Sequence, residues 1–179
     1  MQNYICLLRG INVSGQKKIK MVELKSAFET LGFTDVTTYI QSGNVIFKSA
    51  EVSTEKLEQE IQNMLQDHFG FDIETIVLTH SELSEAVKNN PYVQDQERDE
   101  KKLYIAYLKD LPEQAQLDHL ATYDYFPEVY HIIDKVLYFY AANGAGRAKM
   151  NTNFFEAKLK VKATMRNWRT SNKLLELSK

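Results

Sequence analysis

The sequence predicts an α+β fold of two similar halves, each running strand, helix, strand, strand, helix, strand and then a last helix. Three observations predict it. Short apolar runs closed by glycine or polar residues alternate with stretches whose apolar residues recur at helical spacing. The same order occurs on either side of a polar stretch at 89–102, and the turn residues of the two passes correspond. The expected segments are a first half at 1–88, a connection at 89–102 and a second half at 103–179.

In the first half the run 4–9 ends at Gly10 and reads as a buried strand. Met21, Leu24, Phe28 and Leu31 then mark a helix, with Gly32 as its stop. Runs at 36–40 and 45–47 flank Gln41-Ser42-Gly43-Asn44 as a hairpin. Ser53 caps a helix carrying Leu57, Ile61 and Phe69, a strand follows at 73–78, and Thr79-His80-Ser81-Glu82 has capping-box spacing for a third helix. In the second half a strand at 103–108 precedes Pro112 and a helix with Leu117 and Leu120. Runs at 129–133 and 136–140 surround Asp134-Lys135 as a second hairpin. Phe154, Phe155 and Leu159 mark a helix, 163–165 a brief strand and 168–177 a closing helix. This order yields antiparallel sheets with helices on one face, the ferredoxin-like plan used twice. With the first and third strands taken as parallel neighbours, the loops after them are expected at one sheet edge.

Composition narrows the class. Apolar residues make up 44% of the 179, enough for an ordinary core, and 7 glycines with 3 prolines are too few for a fibrous or linker-rich chain. Apolar runs such as 5–8 are far below the ~18 residues of a membrane span. The first residues lack the basic and apolar regions of a secretory signal, so a cytoplasmic protein is expected. The lone Cys6 excludes an internal disulfide and reads as a small buried hydrophobe. Net charge is −2, unevenly spread: 51–100 holds 13 acids and 3 bases, whereas 147–179 holds 9 bases and 2 acids. Such asymmetry either steers an anionic ligand or is neutralised within the fold.

Three stretches carry a family resemblance: Leu8-Arg9-Gly10-Ile11-Asn12-Val13, Tyr39-Ile40-Gln41-Ser42-Gly43-Asn44-Val45 and Thr164-Met165-Arg166-Asn167-Trp168-Arg169-Thr170. The chain resembles a bacterial family known as domain of unknown function 1697 along nearly its whole length. The resemblance implies a duplicated ferredoxin-like fold and no reaction.

Residues that could carry chemistry are few. The loop from Gly10 through Asn12 and Gly15 to Lys17 and Lys18 lies between a strand and a helix, where backbone amides can cradle phosphate. It is not a nucleotide triphosphatase loop, because Gln16 and Lys17 stand at the lysine and hydroxyl positions. Gly144, Gly146, Arg147 and Lys149 repeat the theme of glycines followed by bases. Arg166 and Arg169 flank Asn167, a reasonable N-cap, and Trp168, taken as a packing residue. Tyr107, Tyr138 and Tyr140 could form a base-stacking sheet face, but no RNP pattern accompanies them and core packing is the preferred reading. The four histidines have no metal-ligand spacing and no serine sits in a GxSxG elbow, so neither metal nor cofactor is expected.

The leading expectation is a binding protein for an anionic ligand, a phosphate-bearing small molecule or RNA, held by Gly10, Gly15, Lys17, Lys18, Gly144, Gly146, Arg147, Lys149 and Arg166. One alternative is an enzyme on a small phosphorylated or carboxylated molecule, with Arg9, Asn12 and Asn44 as polar groups in a cleft between the halves. Another is a structural or oligomerising module. The sequence leaves the oligomeric state open.

Overall fold

The computed structural model describes residues 1–95 and 97–179. It is a mixed α+β structure with two four-stranded antiparallel sheets. The chain order is β1 (Gln2–Leu8), α1 (Met21–Thr30), β2 (Thr34–Tyr39), β3 (Asn44–Ser49), α2 (Thr54–Phe69), β4 (Thr75–Thr79) and α3 (His80–Lys88). There follow β5 (Leu103–Leu108), α4 (Gln114–Leu120), β6 (Val129–Ile133), β7 (Val136–Tyr140), α5 (Thr152–Leu159), β8 (Ala163–Asn167) and α6 (Trp168–Leu177). Sheet order is β2-β3-β1-β4 in one sheet and β6-β7-β5-β8 in the other, the same order in both.

The chain divides into two units, residues 1–84 with 173–179, and residues 85–172. This grouping departs from the expected segments at two places. The C-terminal end joins the first unit, where Asn3 Nδ2 donates to the Ser178 carbonyl at 3.1 Å and His80 Nδ1 lies 2.8 Å from Ser178 Oγ. The stretch expected to be a bare connection is pinned to the second unit: the Arg98 guanidinium lies 4.7 Å from the Tyr92 ring and 4.9 Å from the Tyr140 ring.

In the first unit one face of β1 and β3, carrying Tyr4, Cys6, Leu8, Val45 and Phe47, is covered by Leu24 and Phe28 of α1 and Leu57, Ile61 and Leu65 of α2. Phe47 is the hub, stacked on Phe33 at 4.5 Å and edge-on to Phe28 at 5.6 Å. Cys6 is wholly buried there, as a small hydrophobe should be. In the second unit Ala106, Leu108, Leu137 and Phe139 pack with Leu120, Phe155 and Leu159. Edge strands are handled alike: Glu58 of α2 accepts from the Val77 amide at 2.9 Å, and Glu156 of α5 from Ala163 at 2.8 Å.

Local signals act where the sequence put them. Ser53 accepts from the Lys56 amide, and Thr79 and Glu82 form a reciprocal capping box. Trp168, read as a packing residue, is part-buried. Three details are corrected. Helix α4 starts two residues beyond Pro112, after Glu113 as cap. The last strand extends to Asn167, so Arg166 is a strand residue. The first and third strands are neighbours but antiparallel, Gln2 facing Ser49 and Leu7 facing Asn44. Loops after them therefore leave opposite ends of the sheet. The connection matching residues 9–20 is 109–113, while the 141–151 loop follows β7 and belongs to the other end.

Candidate functional site

Strands β1 and β2 both pair antiparallel to β3, so they end at the same edge of the first sheet, and two long connections meet there. The β1–α1 connection contains a miniature hairpin. Gln16 N donates to the Val13 carbonyl at 2.9 Å, and Ser14 and Gly15 both have positive φ, at 50° and 76°. Positive φ at both central residues defines a type I′ turn, which is why a Ser-Gly pair sits at the tip. The glycine pattern thus makes a turn, and the resulting tip exposes Val13 (58%) beside exposed Lys18 and Lys20.

Asn12 fastens this hairpin. Its Oδ1 accepts from Ile19 N at 2.9 Å, while Nδ2 donates to the carbonyls of Ile19 and Gln41, each at 2.9 Å. The second of those bonds ties the hairpin to the β2–β3 turn. In that turn the Gly43 carbonyl accepts from Leu8 N at 2.8 Å, and a Cβ on Gly43 would stand 2.7 Å from Ile11 Cδ1 and 2.8 Å from Leu8 Cβ. Asn44, fully buried, donates to the Tyr39 carbonyl and Ser42 Oγ at 3.0 Å. The two sequence stretches that carry the family resemblance in this half therefore meet as one joint. Ile40 lies at the same edge, 47% exposed with φ at 51°, a conformation that costs a β-branched side chain about 1–2 kcal/mol.

The remaining candidates are placed as follows. Arg9 is half-buried, its amide bonded to the Glu74 carbonyl at 2.9 Å, and Gly10 takes φ at 70°. The Lys17 ammonium donates to the Asp72 carbonyl, so of the lysines at 17 and 18 only Lys18 extends into solvent. Gly144, Gly146, Arg147 and Lys149 lie in the second unit, with Arg147 and Lys149 exposed. Arg166 is buried, and its guanidinium donates to Thr164 Oγ1 at 2.7 Å and the Met165 carbonyl at 2.9 Å. It is held inside the sheet rather than displayed beside Arg147.

Sequence reading missed Glu128. It is buried, follows a cis Phe126–Pro127 bond, and its carboxylate accepts from Lys149 N and Met150 N, each at 2.9 Å. The amides at the base of this glycine loop are thus already met by the protein's own anion. A glutamate directly before the apolar strand 129–133 was the available signal.

No group of histidine, cysteine, aspartate and glutamate among the described residues is placed to hold a metal. Burial pushes the Tyr138 and Tyr92 phenols up to about 12 and raises Tyr107 too, which suits core hydroxyls donating to Ala86 O (Tyr138) and Ser171 Oγ (Tyr107). Tyr107 and Tyr138 are packed away, so they form no base-stacking face.

Fold and site together define a mixed α+β protein with two four-stranded antiparallel sheets, in which Asn12, Gly43 and Asn44 build the turns at one end of the first sheet. The chain belongs to the family described as protein of unknown function DUF1697, which matches residues 1–138. No curated protein matches it. Its fold is similar to that of a conserved protein of Streptococcus pneumoniae, at 21% identity and a TM-score of 0.77 over 99% of both chains. No helix among the described residues is long and apolar enough to cross a membrane.

Proposed function

We propose that the chain is a cytoplasmic binding protein for an anionic ligand, and that the 12–18 hairpin is its principal contact. One observation carries the reading. Residues 9–20 join β1 to α1 in twelve residues, whereas 109–113 join β5 to α4 in five, with the same anchoring bonds at the strand end. Leu8 N and Arg9 N donate to Gly43 and Glu74 carbonyls; Leu108 N and Lys109 N donate to Lys135 and Lys162 carbonyls. In the second unit the joint closes without a hairpin, and the longer connection of the first adds a lysine-bearing projection between the buried Ile11 and Ile19. A loop held on a rigid scaffold is where binding residues concentrate. The matched strand orders and anchors also support descent of both units from one ferredoxin-like βαββαβ ancestor.

The enzyme alternative has less support, because the carboxamides of Asn12 and Asn44 spend hydrogen bonds on this chain's own turns. Titration calorimetry with tripolyphosphate and with ATP tests the reading. The wild type is expected to bind in the micromolar to millimolar range, about 8 to 4 kcal/mol. The Lys18→Ala/Lys20→Ala variant should lose about tenfold per lysine that reaches the ligand, on the scale of a hydrogen bond to a charged group. Lys25→Ala, on the exposed face of α1, serves as control. Wild-type affinity in the double variant, or no binding by either protein, sinks the proposal.

A further inference from the structure

Each sheet has two edge strands, and an edge presents unpaired backbone groups that a folded protein must cover, bend or use. Three of the four edges are managed within the chain. Glu58 takes the Val77 amide of β4, and Glu156 takes the Ala163 amide at the start of β8. Strand β2 is broken by a shift of register between Thr34 and Thr37, with Asp35 at φ 52° and its carboxylate 2.7 Å from the Lys48 ammonium. Strand β6 has none of these devices. It pairs with β7 in unbroken register, it contains no proline, lysine, arginine or acid, and none of its residues is buried.

The register decides which backbone groups β6 offers. Its turn into β7 is Asp134-Lys135 alone, so the pair that closes the turn, Ile133 with Val136, is a hydrogen-bonded one. Hydrogen-bonded and non-bonded pairs alternate along an antiparallel ladder, so Val129, His131 and Ile133 bond to β7 while Tyr130 and Ile132 turn their N–H and C=O groups outward. Those outward groups have no partner among the described residues. The side chains of Tyr130 and Ile132 carry the core out to this edge, with Tyr130 edge-on to Phe155 at 5.7 Å, yet both are only half-buried. The sheet stops where its core is still partly open.

We propose that β6 pairs antiparallel with β6 of a second copy of this chain, joining two four-stranded sheets edge to edge. A two-fold axis at His131 sets Tyr130 of each copy opposite Ile132 of the other, and these are the residues with outward backbone groups, so both pairs are hydrogen-bonded. Side chains match in the same register. Tyr130 meets Ile132 on the face of the core and Val129 meets Ile133 on the other, aromatic against β-branched and β-branched against β-branched. His131 faces His131 of the second copy in a non-hydrogen-bonded pair, with Cα atoms about 4.5 Å apart. Asp134 leaves the strand at φ 51°, so no acid or lysine enters the pairing. A charged peptide would find only backbone to bind on this strand, whereas a second copy satisfies the backbone and each side chain. The pairing belongs to the second unit and stands apart from the anion reading of the first.

Sedimentation velocity of the full chain over a dilution series should show a reversible monomer–dimer equilibrium, since one short strand pair is a small, transient interface. His131→Lys sets two ammonium groups face to face from an exposed position and should leave a monomer with the wild-type Tm. His131→Cys should give a disulfide-linked dimer under mild oxidation, because a non-hydrogen-bonded pair has the Cα spacing of a disulfide, whereas Tyr130→Cys, facing Ile132, should not. The wild type, with Cys6 buried, sets the background. Hydrogen exchange reads the wild type directly: dilution should speed the Tyr130 and Ile132 amides and leave the His131 amide, bonded to β7, as it was. A wild type that is monomeric at every concentration overturns the proposal, as does a dimer that His131→Lys leaves intact. Equal cross-linking of the two cysteine variants, or exchange that dilution changes at His131 as much as at Tyr130, overturns it too.

Discussion

The first and second units solve the same structural problem at the ends of β1 and β5 with different amounts of chain. In the second unit five residues connect β5 to α4, and two, Asp134 and Lys135, turn β6 into β7. In the first unit the corresponding connections are twelve and four residues long, and they lean on each other through Asn12 and Gly43. Lengthening a surface loop costs little closure entropy, but ordering the added residues does cost, and here that order is supplied by side-chain bonds and close packing. The difference teaches that Asn12 serves the longer connections of the first unit, while Leu8, Ile11 and Val45 of the same motif stretches belong to its core.

Breaking the close packing should have the largest effect. Gly43→Ala puts a methyl into Leu8 and Ile11 at a positive-φ site, so stability should fall by about 2–5 kcal/mol, the sum of a left-handed backbone and an overfilled joint. Urea unfolding measures it. Lys135, which takes the anchoring bond in the second unit, tolerates a side chain, and Lys135→Ala should change stability by less than about 0.5 kcal/mol. Equal effects at the two positions would erase the contrast between the units.

Removing the fastening should cost less. Asn12→Ala deletes three hydrogen bonds at a part-buried site, and a loss of about 1–3 kcal/mol is expected. Hydrogen exchange is the sharper readout, because the Ile19 amide loses its acceptor and should exchange faster while amides of β5 do not change. Uniform acceleration throughout the chain would mean that Asn12 holds the fold and not merely the hairpin.

The smallest effect should be a gain. Ile40 and Asp134 both open their hairpin turns with φ at 51°, but only the aspartate suits a left-handed backbone. Ile40→Asn should stabilise by about 0.5–1 kcal/mol in the same unfolding measurement. A loss instead would show that the half-exposed isoleucine contributes packing that outweighs its strain.

Much of this molecule was legible in its residues. The hairpin at Asp134-Lys135, the Ser53 cap and the Thr79–Glu82 box depend on neighbours within a few positions, and each formed where the pattern placed it. Arg166 was misread for the opposite reason. A basic residue near a helix start resembles a surface fork, but strand β8 continues two residues further and turns that guanidinium inward to Thr164. Glu128 was passed over because its partners lie about twenty residues away in the chain, at Lys149 and Met150.

What the sequence by itself determined is the set of local elements: periodicity selects helix or strand, and glycine, serine and asparagine mark where each ends. The direction of β1 against β3, the meeting of Asn12 with Gln41, and the occupation of the 144–150 loop by Glu128 were decided only in the tertiary structure. Their physical reason is shared. A hydrogen bond or a close approach between distant residues has no period and no spacing in the chain, and it exists only once the sheet has set the distance.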